Sequence, residues 1–178
     1  MFKVSKTKFK DLLIFEGEIH KDKRGYLREL IVEKNVKKRF KFQIISKSKK
    51  NVLRGFHFQY KHQQSKLITV IKGKVLDCVI DLRKNSRTFG KIFSIILSEN
   101  NCKSLYVPRG FAHAYFSIQK MNVIYYKLSN YYDPKFEDGI CYSDKDVNAK
   151  WPKTKLIVSK KDKLLGSFQN FKIKHKGL

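Results

Sequence analysis

The sequence predicts an all-β protein of the jelly-roll kind, and three observations carry that prediction. Between residues 40 and 132 the chain is built from short β-branched and aromatic runs. Turn residues divide those runs at the close, regular spacing of a sandwich or barrel. No stretch sustains the apolar period of about 3.6 residues that a helix facing a core needs.

Taken in order, residues 1–39 are expected to supply edge strands around a turn at residues 21–25 (KDKRG). Residues 51–59 (NVLRGFHFQ) read as a buried strand with four polar or small intruders, Arg54, Gly55, His57 and Gln59. The clearest hairpin is residues 66–83 (KLITVIKGKVLDCVIDLR), where two apolar runs meet at Lys72-Gly73 and glycine supplies the positive φ of a tight turn. In its second arm Leu76, Cys78, Ile80 and Leu82 share one face, which reads as packed core. The opposite face mixes Val75 and Val79 with Asp77 and Asp81. Further strands are expected in residues 91–98, 104–108, 112–118 and 123–132. The Lys-rich tail from Trp151 onward reads as short and mostly irregular or helical, with residues 155–158 (KLIV) and 162–168 (DKLLGSF) as its packable pieces.

At 178 residues with 42% hydrophobic and 13% aromatic content, residues 1–178 are expected to form a single domain with one core. Apolar runs such as LLIF and SIIL fall far short of the eighteen or so residues that span a bilayer, so no membrane partner is expected. Cys78, Cys102 and Cys141 are odd in number and widely spaced, which fits free thiols in a reducing cytoplasm. A net charge of +25 raises nucleic acid as a partner, yet Lys is scattered through every segment and only seven Arg occur. No nucleic-acid stripe is therefore expected, although such a field favours anionic small substrates.

Strict alternation would point Gly55, His57 and Gln59 one way, but Leu53, Phe56 and Phe58 cannot all point the other. An irregularity near Gly55 resolves the conflict, because glycine inside a strand marks a bulge or a close backbone approach. Such a bulge would bring Arg54 and His57 toward one cavity. A second histidine, His113, follows the rigid turn of Pro108 and Gly110. Lys66, Asp77, Tyr126 and Asp162 complete a set in which each residue, taken singly, also has an ordinary structural use.

Six stretches lie in a recognisable order: DKRGYLRE, VLRGFHFQ, SKL with KGKVLDCVIDLRKNSRTFG, YVPRGFAHAY, YYKLSNYYDPKFEDGI and WP. Together they resemble the dTDP-4-dehydrorhamnose 3,5-epimerase family over roughly residues 20–165. The resemblance implies a cupin-like jelly roll (a double-stranded β-helix), usually a homodimer, acting on a nucleotide-diphosphate-linked 4-keto sugar without metal or redox cofactor. A ketone at C4 acidifies the hydrogens on C3 and C5, so a base can remove one and an acid can return one to the opposite face. By the resemblance His57 is the base, Asp162 the carboxylate that orients it, and Tyr126 the acid. Lys66 stabilises the enolate oxygen. Asp77 and His113 line the same pocket. Arg54, and Arg24 reaching in from a partner subunit, meet the diphosphate, where a guanidinium fork suits phosphate oxygens. Glu29, Gln59, Gln64 and Tyr132 are further substrate or pocket contacts.

The chain departs from the family pattern at three places. Ile44 stands near the Asn of a common Gln-x-Asn, Ala114 where Gly is common, and Leu27 where an aromatic is usual. Five other readings stay open at this point. The same chemistry can serve a GDP-linked sugar such as a heptose, or one centre alone, C3 or C5. A 3,4-ketoisomerase would share fold and substrate. A metal cupin is disfavoured, because Gln59 follows His57 where a second histidine would be needed and no Glu occurs before Lys66. A basic binding protein without catalysis would be indifferent to loss of His57.

Overall fold

The structure, a computed structural model, describes residues 3–35 and 39–178. Its strands are β1 (Lys3–Lys6), β2 (Leu13–Glu16), β3 (Ile19–Asp22), β4 (Gly25–Arg28), β5 (Phe42–Lys49), β6 (Leu53–Gln59) and β7 (Lys66–Lys72). They continue with β8 (Lys74–Asp81), β9 (Ile92–Ser98), β10 (Lys103–Val107), β11 (Phe111–Ser117), β12 (Met121–Leu128) and β13 (Glu137–Gly139). Two short helices follow, α1 (Lys160–Lys163) and α2 (Phe168–His175). The expected hairpin joins β7 to β8 at Gly73, whose φ is +88°. Of the strands expected at the N-terminal edge, β1 forms the edge and β2 lies one place in, between β1 and β10, while the turn at residues 21–25 joins β3 to β4.

The strands form two antiparallel sheets in the jelly-roll manner. One runs β1-β2-β10-β7-β12-β5 and the other β13-β6-β11-β8-β9, while β3 and β4 pair apart from both. The apolar core between the sheets includes Ile68, Val70, Val75, Val79, Leu97, Leu105, Val107, Ile124 and Leu128. Period-2 alternation puts these side chains on the inner faces. On the outside of the six-stranded sheet, Phe15, Leu67 and Tyr106 are covered by Ile31 and Phe40.

The structure differs from the sequence reading at β8, where both faces are core. Val75 and Val79 point between the sheets, while Cys78, Ile80 and Leu82 lie under the C-terminal tail with Phe56, Phe58, Ala112 and Ala114. The two carboxylates are buried because each has partners. Asp77 meets His113, and Asp81 accepts bonds from Arg83, Ser86 and Thr88.

The tail is helical in the two short pieces and packs mainly through α2. Phe168 and Phe171, three apart, sit on the same side of α2 and stack at 5.9 Å. Phe171 meets Phe58 edge-on at 5.4 Å, and Trp151 packs against Phe56. Ser167 caps α2 by accepting from the Asn170 N–H, and Ser159 caps α1 by accepting from Asp162. Within residues 162–168, Asp162 and Phe168 are buried but Leu164 is 85% exposed.

The irregularity expected in β6 is present at Gly55. His113 pairs with His57 and Tyr115 with Arg54, so three steps along β6 oppose two along β11. The backbones approach so closely that a Cβ on Gly55 would lie 2.4 Å from the His113 carbonyl oxygen and 2.7 Å from Ala114 Cα. Gly55 also has φ +109°, a conformation that L side chains rarely adopt. Gly55→Ala is therefore expected to destabilise the fold by roughly 2–4 kcal/mol. Urea denaturation measures this, and an unchanged midpoint would contradict the close approach.

Candidate active site

A cavity of about 560 Å³ opens between the two sheets. The five-stranded sheet contributes Arg54 and His57 from β6, His113 and Tyr115 from β11, and Glu137 from β13. The six-stranded sheet contributes Phe42, Ile44 and Ser46 from β5, Lys66 from β7, and Tyr126 and Leu128 from β12. Gln64 and Tyr132 enter from loops, and Ser159, Lys161 and Asp162 close one side from the tail. The bulge at Gly55 is what lets Arg54 and His57, three residues apart, line one wall.

The polar groups of the first wall are held by buried carboxylates. His57 Nε2 lies 2.9 Å from Asp162 Oδ1, and the other carboxylate oxygen accepts the Gly55 N–H at 3.1 Å. Burial pushes the Asp162 carboxyl up, but the His57 contact and the Gly55 and Ser159 hydrogen bonds outweigh it, so the group sits below the usual carboxylate range. An ionised carboxylate only accepts, so Nε2 carries a proton toward Asp162, and the tautomer this contact selects has its lone pair on Nδ1. Beside it, His113 Nε2 lies 2.8 Å from Asp77 Oδ2. Burial drives the Asp77 carboxyl up against the opposing pull of His113 and Lys66, and its Oδ1 has no hydrogen-bond partner among the described residues.

The facing wall carries the phenol and the ammonium. Tyr126 is 7% exposed, and burial first, then Tyr115 and Asp77, hold its hydroxyl well above the ordinary tyrosine value. Lys66 pairs in register with Leu128 on the next strand, and its ammonium makes no hydrogen bond or ion pair with a described residue. Burial lowers its ammonium to about 8, against the opposing pull of Glu137 and Asp77. Arg54 donates Nε–H to Ser48 Oγ at 3.2 Å and has no carboxylate partner among the described residues, leaving an unpaired guanidinium at the cavity.

Nine of the residues anticipated from sequence thus gather here: His57, Asp162, Tyr126, Lys66, Arg54, Gln64, His113, Tyr132 and, behind His113, Asp77. Three do not. Gln59 is buried with its amide bonded to the His62 and Tyr131 carbonyls and to the Asp133 N–H, so it braces the loop that carries Tyr132. Arg24 lies on the β3–β4 hairpin, 85% exposed and paired with Asp22, and Glu29 lies exposed just beyond that hairpin. Sequence reasoning gave no role to Glu137 or Lys161, which form an ion pair on the cavity wall, with the Tyr132 hydroxyl donating to Glu137 at 2.8 Å. Glu137 lay within the quoted stretch at residues 125–140, and Lys161 precedes Asp162. Ser46, Ser48 and Tyr115 were also passed over.

Among the described residues no helix is long and apolar enough to cross a membrane. The dTDP-4-dehydrorhamnose 3,5-epimerase family model matches residues 6–170. A dTDP-4-dehydrorhamnose 3,5-epimerase of Methanothermobacter thermautotrophicus is 36% identical over 170 residues, covering 91% of this chain and 92% of that protein. One from Shigella flexneri is 39% identical, covering 89% of this chain and 92% of its own length. The crystal structure of the Elizabethkingia anophelis enzyme superposes with a TM-score of 0.89 at 38% identity, covering 95% of this chain and 97% of that one. A dTDP-6-deoxy-D-glucose-3,5-epimerase from Legionella pneumophila, solved with dTDP-4-keto-L-rhamnose, gives 0.91 at 33% identity over 95% of this chain and 94% of that one. With the jelly roll and its two-walled cavity, this match along nearly the whole chain means that the protein belongs to the dTDP-4-dehydrorhamnose 3,5-epimerase family of isomerases.

Proposed function

We propose that the protein inverts C3 and C5 of a dTDP-linked 4-keto-6-deoxy sugar by acid–base chemistry, in the manufacture of a sugar for surface polysaccharide. The observation that carries this reading is the opposition of His57, on one sheet and held by Asp162 of α1, to Tyr126 on the other sheet, across one cavity that also holds Lys66, whose ammonium is unpaired among the described residues. His57 Nδ1 takes the proton from C5 or C3, and the electron pair moves onto the C4 oxygen as an enolate. Lys66 meets that oxygen as a point charge, where one positioned donor is worth roughly 3 kcal/mol in a dry site. Tyr126 then gives its proton to the same carbon from the opposite face, which inverts it. Solvent returns a proton to Tyr126 and removes one from His57, and the cycle repeats at the second centre. No hydride leaves the sugar, so the reaction calls for no redox carrier.

The relatives named for dTDP-linked sugars support dTDP as the carrier. Arg54, with no carboxylate partner among the described residues, suits the diphosphate. The acid–base reading is favoured over a metal one by the donor set, since among the described residues no three His, Cys, Asp or Glu side chains are grouped to hold an ion. Homodimerisation would give Arg24 and Glu29 a place at the substrate, since the β3–β4 hairpin also exposes Tyr26 at 56% and Leu27 at 66%. The three cysteines are free thiols, which suits a cytoplasmic location.

His57→Asn is expected to lower kcat by about 10³-fold while leaving dTDP affinity within about twofold. Product formation by chromatography and binding by calorimetry check this, and turnover within tenfold of wild type would contradict the role of His57. The alkaline side of the pH profile belongs to Lys66. Its ammonium is charged below about 8 and loses its proton above, whereas Tyr126 stays protonated to much higher pH. kcat/KM is therefore expected to fall as pH rises through about 8. A profile flat from pH 7 to about 10 would contradict the enolate-stabilising charge.

A further inference from the structure

Glu137 is a carboxylate on the wall of a cavity that would take an anionic substrate, and the chemistry above gives it nothing to do. Strand register explains its place. β13 pairs with β6 so that Gly139 lies opposite His57 and Glu137 opposite Gln59. Alternation then puts Glu137 on the face that Gly139 shares with His57, and sends Asp138 the other way, to Lys174 and His175 of α2. Glu137 and His57 are thus diagonal neighbours on adjacent strands, a separation that long side chains span.

The carboxylate divides its two oxygens. Oε2 accepts from the Tyr132 hydroxyl at 2.8 Å and from the Lys161 ammonium, while Oε1 has no hydrogen-bond partner among the described residues. Bracing the Tyr132 loop against α1 therefore occupies one oxygen and leaves the other. Burial raises the group, but the bonds from Lys161 and Tyr132, with His57 nearby, hold it below the usual carboxylate range. With its side chain 14% exposed it has given up most of its water, and a desolvated carboxylate oxygen without a donor is costly. An ionised carboxylate only accepts, so whatever answers Oε1 must donate.

In a nucleotide-linked 4-keto sugar the ketone and the ionised diphosphate carry no donor, and the diphosphate would be repelled. Beside His57 the donors on offer are the sugar hydroxyls at C2 and C3. The C3 hydroxyl changes side when C3 is inverted, whereas C2 keeps its configuration, so only the C2 hydroxyl can hold one bond through both inversions. Resting on the epimerase reading, we propose that Glu137 is a substrate-recognition residue whose Oε1 accepts from the C2 hydroxyl, making the protein selective for 4-keto sugars hydroxylated at C2. With Arg54 on the diphosphate at C1, the ring is then held at two adjacent carbons that do not react.

The test compares kcat/KM for dTDP-4-keto-6-deoxyglucose and its 2-deoxy analogue in wild type, Glu137→Ala and Glu137→Gln. A hydrogen bond to a charged group predicts that wild type prefers the hydroxylated sugar by about 10- to 100-fold. Glu137→Ala is expected to shrink that preference to within about twofold, and Glu137→Gln, which keeps the shape but loses the charge, to about threefold. Glu137→Gln carries the test alone where Glu137→Ala does not fold. A residue that only braced the Tyr132 loop would, on removal, slow both sugars together and leave the ratio as it was. A wild-type ratio in the variants, or wild type that turns over both sugars equally well, would overturn the proposal. Wild type that turns over neither sugar would overturn the epimerase reading, and this proposal with it.

Discussion

One carboxylate joins the two halves of the site. Asp162 accepts from His57 with one oxygen and from the Gly55 N–H with the other. The second bond answers a problem created by the first half of the chain. A bulge leaves a backbone donor without its ladder partner, and a buried unpaired N–H costs about as much as a lost hydrogen bond. Asp162 meets that need and, in the same stroke, fixes the imidazole. The strand irregularity that aims Arg54 and His57 into the cavity is thus stabilised by the residue that gives His57 its tautomer.

Bringing Asp162 to β6 from a separation of 105 residues requires the tail to be anchored. Apolar packing does this, through Phe168, Phe171 and Trp151 laid over the outer face of the five-stranded sheet. That face is as well buried as the inner one, so β6, β8 and β11 are held from both sides. A rigid wall of this sort suits the proposed proton transfer, where small displacements of a base are costly. On the opposite wall burial acts electrically: it keeps Tyr126 protonated and lowers Lys66 toward neutrality. By the proposed chemistry, an enolate and a diphosphate would give Lys66 and Arg54 the anionic partners that they do not have among the described residues.

How much of this could be read from the chain depended on whether the signal was local. The β7–β8 hairpin and the irregular β6 were legible because glycine has local meaning at Gly73 and Gly55. The jelly-roll class followed from the spacing of short runs. The pairing of His57 with Asp162 has no local signal, and it came into view only through family resemblance. The outer face of β8 and the packing of α2 were less legible, since abundant Lys masks the short Phe168 and Phe171 spacing. Gln59 shows the limit of alternation, which reports that a polar side chain lies in a strand but not whether it serves a cavity or a loop. Arg24 and Glu29 sit on or beside a hairpin outside the cavity, where the fold of one chain gives them no substrate to meet.

The central claim is that a base and an acid face each other across the C3 and C5 hydrogens of a 4-keto sugar. Its most direct measurement is the fate of those hydrogens when wild-type protein turns over dTDP-4-keto-6-deoxyglucose in D2O. The account predicts that the C3 and C5 proton resonances of the product disappear and that both centres are inverted. Retention of both resonances with no change in configuration would contradict it.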